Sequence, residues 1–155
     1  MTPAISVAKK AGIEFQTHSY RHDAKHPSYG LEAAEKLGIP PQRVFKTLVV
    51  TLEGRELAVA VVPVSKQLDL KAFAKAANVK KAVMAEARQV ESCTGYVVGG
   101  VSPLGQKKRL MTLIDRSAVD FPTLFVSAGR RGLEIELAAD DLGRLLNARF
   151  IAIAK

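Results

Sequence analysis

Only one cysteine, Cys93, occurs in the 155 residues, so no internal disulfide can form. A chain without that cross-link suits a reducing cytoplasm. No apolar run approaches the ~18 residues that a membrane-spanning helix needs. The N-terminal MTPAISVAKKAG lacks the uninterrupted apolar core of a signal peptide, and its lysines fall in the wrong place for one. No repeat, low-complexity segment or linker is visible, so residues 1–155 are expected to form a single domain. An arginine-rich tail is missing too. The basic residues behind the net charge of +8 are dispersed, which favours a folded surface meeting a polyanion such as nucleic acid over a disordered arm.

Several kinds of site are also missing. Gly100 to Gly105 has the glycine spacing of a phosphate-binding loop, but Gln106 follows where lysine is needed and Pro103 interrupts it. There is no dinucleotide-binding glycine fingerprint. His18, His22 and His26 cross a strand end and a turn, so they share no helical face, and no metal or cofactor is expected. Neither a catalytic triad nor a pair of catalytic carboxylates stands out. Cys93 has no histidine near it in sequence to activate it, which leaves a packed thiol as the plainer reading beside a nucleophile.

What is present alternates between helix and strand signals. Thr2 and Pro3 cap a helix over Ala4–Ala11, which Gly12 ends. Ile13–Tyr20 alternates as a strand, and Ser28 caps a helix through Leu37 that Gly38 and Pro40-Pro41 stop. Val44–Glu53 is a β-branched strand, and Glu56–Pro63 returns as its hairpin partner. Asp69 caps a helix with Leu70, Phe73, Ala74 and Ala77 on one face. A short strand at Ala82–Met84 and a helix over Glu86–Glu91 follow. Three further strands read as Arg109–Asp115, Thr123–Gly129 and Leu133–Leu137, before a last helix over Asp140–Leu146. The fold class is α+β: a curved mixed β-sheet that forms a partly open barrel, with surrounding helices.

The stretch CTGYVVGGVSPLGQKKR, Cys93–Arg109, carries Gly95, Gly99, Gly100 and Gly105 around Pro103. Such a backbone-rich loop is either a pair of tight turns or a surface of free amides for an anion or a carbonyl oxygen. Lys46 shares a strand face with Val44, Leu48 and Val50, so it either snorkels to solvent or lines a cavity. Glu134 and Glu136 alternate with Leu133, Ile135 and Leu137 and face away from them; a solvated strand face is the plain reading of both, favoured for Glu136. Tyr20 and Tyr96 pack with bonded hydroxyls, or line the same cavity as Lys46.

TGYVVGGVSPLGQKKRL resembles the signature of the YbaK/ProX-like aminoacyl-tRNA editing family. The similarity extends to MTPAISVAKKAGIEFQTHSY, VFKTL around Lys46, LAVAVVPVSKQLDLK and GRRGLEIELAADDL, and points to the YbaK branch, the Cys-tRNA(Pro) deacylases. The resemblance implies a pocket between the sheet and the glycine-rich loop. It also implies trans-editing: prolyl-tRNA synthetase charges cysteine onto tRNA(Pro), since the two amino acids are close in size, and a separate hydrolase removes it. By match to the family, Lys46, Gly99, Gly100 and Val101 are the catalytic residues, and Tyr20, Thr94, Ser102 and Glu134 bind substrate. Glu134 stands where relatives carry aspartate, and Cys93 where serine is expected. Lys107, Lys108, Arg130 and Arg131 either grip tRNA phosphates or form a solvated rim. The implied partners are mischarged tRNA(Pro) and prolyl-tRNA synthetase. An RNA-binding module without catalysis, an editor of Ala-tRNA(Pro) or of another mischarged tRNA, and a Cys93 thiol enzyme are the alternatives.

Overall fold

Side-chain caps set the helix starts in the computed structural model, which describes residues 1–155. Thr2 Oγ1 accepts the Ile5 amide (3.3 Å) before α1 (Pro3–Ala11). Ser28 Oγ accepts the Leu31 amide (3.4 Å) before α2 (Tyr29–Leu37), and Asp69 accepts the Ala72 amide (3.1 Å) before α3 (Leu70–Ala76). Each cap satisfies an amide that the first helical turn would leave unpaired. The next helix, α4 (Ala87–Thr94), runs three residues past the expected end at Glu91. Thr94 Oγ1 donates to the Val90 carbonyl (2.7 Å), and Gly95, at φ 80°, provides the left-handed stop. Cys93 and Thr94 therefore belong to a helix and not to the glycine-rich loop. The last helix is α5 (Ala139–Leu146).

Eight strands form two sheets where one was expected. β4 (Ala82–Met84), β2 (Phe45–Leu52), β3 (Leu57–Pro63), β5 (Met111–Asp115) and β8 (Arg149–Ile151) make a mixed sheet in that order. β1 (Phe15–Ser19), β7 (Leu133–Leu137) and β6 (Leu124–Arg130) make an antiparallel one. The two meet at a single bridge between Val44 and Phe125; no closed barrel forms, and the curl towards a barrel goes no further than this joint. The terminal strand β8 was not foreseen. Three residues are too few for a periodic signal, and the segment is held by a distant group: the Asp115 carboxylate accepts the amides of Ile153 (2.9 Å) and Ala154 (3.0 Å).

Three apolar clusters hold these layers. Phe45, Val49, Val59 and Val61 of the mixed sheet pack with Val126, Ile135 and Leu137 of the other, closed by Ala4 and Ala8 of α1. The opposite face of the mixed sheet, with Val50, Ala60 and Val62, takes Phe73 of α3; burying a side chain of that size is worth about 1.5–3 kcal/mol. Ala33 and Ala34 of α2 cover Val44, Val64 and Phe125. This third cluster decides what the outward face of the antiparallel sheet can do. No helix is long and apolar enough to cross a membrane.

Candidate active site at the free edge of β2

β4 pairs only with Val50–Leu52, and the one backbone bridge from β6 falls at Val44, just before β2 begins. Between those points the edge of β2 has no strand beside it. A cavity of about 460 Å³ opens there. Its walls are Phe45–Val49 of β2, Ser127 and Glu134 of the antiparallel sheet, Tyr20, the start of α2 at Tyr29 and Gly30, Ala87 and Val90 of α4, and Val98, Gly99 and Val101. Because the cavity wraps around a strand edge, Lys46 and Thr47 both line it although they point to opposite faces of β2.

The register places Glu134 opposite His18 on β1 and Ser127 on β6. The solvated face, one reading of its alternation, is not what Glu134 meets: it is 7% exposed, because α2 and Val44 cover that side of the sheet. Burial pushes its carboxyl up to about 8, so the neutral acid predominates at pH 7. Lys46 is half-buried, pairs with no carboxylate, and has its pKa lowered by burial. Tyr20 is pushed up to about 12, first by burial and then by the Glu134 and Glu32 carboxylates. Glu136 differs from its neighbour, bonding His18 (2.8 Å) and Arg43 (3.3 Å).

The rim is tied down by polar contacts. Buried Glu32 of α2 accepts the Asp23 amide (2.7 Å) and bonds His22 Nδ1 (2.7 Å) and Lys36 Nζ (3.2 Å). Burial opposes its ionisation, but those hydrogen bonds win and hold it at about 2. Arg131 donates to the Val98 carbonyl through Nε (3.0 Å) and a terminal nitrogen (2.6 Å), and its guanidinium lies 4.8 Å from the Tyr29 ring centre. A Cβ on Gly99 would sit 2.8 Å from both Arg131 Nε and the Tyr29 ring, so only glycine lets the three meet.

Of the residues singled out in the sequence, Lys46, Tyr20, Glu134, Gly99 and Val101 come together around this cavity. Gly100 is buried and does not line it, with its amide donated to the Val97 carbonyl (2.9 Å). Thr94 and Ser102 are buried away from it: Thr94 Oγ1 accepts the Tyr96 amide (3.1 Å), and Ser102 Oγ accepts the Leu104 amide (3.2 Å). The amides of Gly99 and Val101 have no acceptor within the protein. The side chains of Lys107, Lys108 and Arg130 are exposed outside the cavity, and Arg131 is the latch just described. Cys93 is buried off the cavity; burial raises its pKa, the wrong direction for a nucleophile. Tyr96 is a packing residue whose hydroxyl donates to the Leu104 carbonyl (2.6 Å). Each histidine pairs with a different glutamate, and no three potential ligands converge on a metal position.

A sequence model described as the aminoacyl-tRNA editing domain matches residues 28–145. The chain belongs to the aminoacyl-tRNA editing family. It is 37% identical over 152 residues, 98% of this chain and 92% of the relative, to EbsC of Enterococcus faecalis, to which Cys-tRNA(Pro)/Cys-tRNA(Cys) deacylase activity is ascribed. It is 31% identical over 111 residues, 72% of this chain and 70% of the relative, to the uncharacterized protein YwhH of Bacillus subtilis. Among solved structures, the hypothetical protein APE2540 superposes with a TM-score of 0.88 at 23% identity, over 99% of this chain and 100% of that one. A protein described as a trans-editing enzyme for prolyl-tRNA synthetase superposes with a TM-score of 0.83 at 18% identity, over 100% and 99%. These two likenesses establish the α+β fold.

The editing domain's cavity also contains residues that the sequence did not single out: Tyr29, Thr47, Ser127, and the apolar Ala85 and Val90. Ser127 becomes visible only through the β6–β7 register that sets it opposite Glu134. Thr47 is next to Lys46 in sequence, yet alternation alone sends it to the other face.

Proposed function

We propose that this protein is a trans-editing hydrolase that deacylates Cys-tRNA(Pro). The observation that carries the reading is one cavity holding an unpaired lysine, a buried carboxylic acid and two unbonded loop amides, with no cysteine in it and no histidine to activate the hydroxyls that line it. The identity to EbsC supports the substrate class.

An aminoacyl ester is already activated, so the protein need only orient it and stabilise the developing oxyanion. The substrate's own thiol sulfur attacks the ester carbonyl carbon. A carbon–sulfur bond forms, the bond from that carbon to the ribose oxygen breaks, and the thiol proton ends on the ribose hydroxyl. The product is free tRNA and a cyclic thiolactone, which water opens. Lys46 anchors the terminal adenosine or its phosphate, and the Gly99 and Val101 amides receive the oxyanion. Residues 1–155 act as one editing domain in the cytoplasm, and selection of tRNA(Pro) comes from association with prolyl-tRNA synthetase.

The test is deacylation of Cys-, Ala- and Pro-charged tRNA(Pro) by the wild type and by Lys46→Ala. Loss of the cysteinyl ester alone, slowed at least about 10–100-fold in the variant, is the expected result. Cys-tRNA(Pro) that stays intact with the wild type overturns the reading, and cleavage of Ala-tRNA(Pro) alone reassigns the substrate.

A further inference from the structure

Thr47 Oγ1 is the one buried side-chain nitrogen or oxygen in the fold that has no hydrogen-bond partner. Leaving such a group unpaired costs about 1–3 kcal/mol, and few native side chains are left this way. The residue lies on the cavity wall. Strand alternation turns it to the face of Phe45 and Val49, away from Lys46. Its companions there are the other apolar wall residues that join the same core cluster, Ala85, Val90 and Val101. A single unpartnered hydroxyl thus lies against the apolar part of the wall of a cavity whose charged groups, Lys46 and Glu134, belong to other surfaces.

We propose that Thr47 reads the side chain of the bound amino acid, its hydroxyl hydrogen-bonding to a thiol or hydroxyl on the β-carbon of a small aminoacyl group. The proposal rests on the deacylase reading above and adds the residue that sets its amino-acid preference. Apolar walls distinguish groups of similar size poorly. A buried polar atom that only the right ligand pairs adds discrimination, because a ligand lacking the partner leaves it unsatisfied.

The experiment measures binding of two non-hydrolysable probes by calorimetry: adenosine carrying cysteine, or alanine, through a 3′-amide. Thr47→Val removes the hydroxyl at nearly constant shape, and Thr47→Ser keeps it. The cysteinyl-to-alanyl affinity ratio should fall about fivefold in Thr47→Val, the worth of one hydrogen bond. Alanyl affinity should hold, Thr47→Ser should keep the wild-type ratio, and thermal stability of Thr47→Val should match or exceed the wild type. If Thr47→Val does not fold, Thr47→Ala supplies the same ratio. An unchanged ratio, or equal weakening of both probes as for a hydroxyl that merely holds water, overturns the proposal while leaving the deacylase reading intact. Failure of the wild type to bind either probe overturns that reading, and this proposal with it.

Discussion

Lys46 and Glu134 line one cavity from two different sheets, and no ion pair joins them. Burial acts on each alone, lowering the lysine pKa and raising the carboxyl to about 8. The ammonium keeps its hydrogen-bonding capacity for a ligand. Lys46→Met preserves the stem and removes that head. It is expected to lower kcat/KM for Cys-tRNA(Pro) by about 10–100-fold, the range for a hydrogen bond to a charged group. Its unfolding temperature should equal or exceed that of the wild type, since no protein partner is lost. Single-turnover deacylation with parallel thermal unfolding checks both; a matching loss of stability would assign Lys46 to the scaffold.

Glu134 gives stability a pH dependence of known sign. Below pH 4.5 the carboxyl is protonated in both folded and unfolded chains, and burial carries no ionisation penalty. Between 4.5 and about 8 the unfolded chain releases its proton while the folded chain holds it, so this residue lowers stability as pH rises. Above about 8 the penalty is constant. Glu134→Gln removes the titration. Its stability relative to wild type should therefore rise steadily across that window, by an amount on the order of a few kcal/mol. Urea unfolding of both proteins at several pH values measures the difference, and a difference that stays flat excludes a raised carboxyl.

Most helices were legible because their signals are local. Thr2, Ser28 and Asp69 cap where they stand, and Gly12 and Gly38 stop the chain wherever it folds. The β2–β3 hairpin was legible for the same reason. The division into two sheets was not, because β7 pairs with β1 across more than half the chain. Lys46 could be read because a lysine among apolar residues of a strand raises a question whatever its neighbours. Glu134 could not be read from alternation, which gives the face but not what covers it, and α2 covers this one. Thr94 and Ser102 sit in the recognisable stretch, yet their hydroxyls serve the turns around them.

Arg131 separates a rim phosphate contact from an internal fastener. Its guanidinium binds the Val98 carbonyl twice and stacks on Tyr29, both of which line the cavity. An ammonium has no planar fork and stacks poorly. Arg131→Lys and Arg131→Ala should therefore lose deacylation to the same extent, about fivefold to tenfold for the lost carbonyl and stacking contacts. The salt dependence of tRNA binding should stay as in the wild type. A tRNA phosphate contact predicts the opposite: near-normal activity with lysine and a shallower salt slope with alanine.

The tight place in the glycine-rich loop is Gly100, and the reason is steric. Its amide already donates to Val97, so the proposed mechanism gives the oxyanion role to Gly99 and Val101 on either side, whose amides are unbonded. A Cβ at Gly100 would stand 2.8 Å from Arg130 Cα and 2.9 Å from the Arg131 amide nitrogen, both backbone atoms that cannot swing away. Gly100→Val must push the loop off the β6–β7 turn, at a cost of about 1–3 kcal/mol. The displacement carries Gly99 and Val101 with it. Turnover should fall further than stability alone explains when both are measured well below the unfolding temperature. Ser102→Ala provides the contrast. Ser102 is fully buried and its hydroxyl accepts only the Leu104 amide, so the loss of that hydroxyl should cost about 1 kcal/mol and leave kcat/KM near wild type. If Ser102→Ala stalls deacylation as severely as Gly100→Val, the serine hydroxyl takes part in the reaction and the loop does not work through its backbone alone.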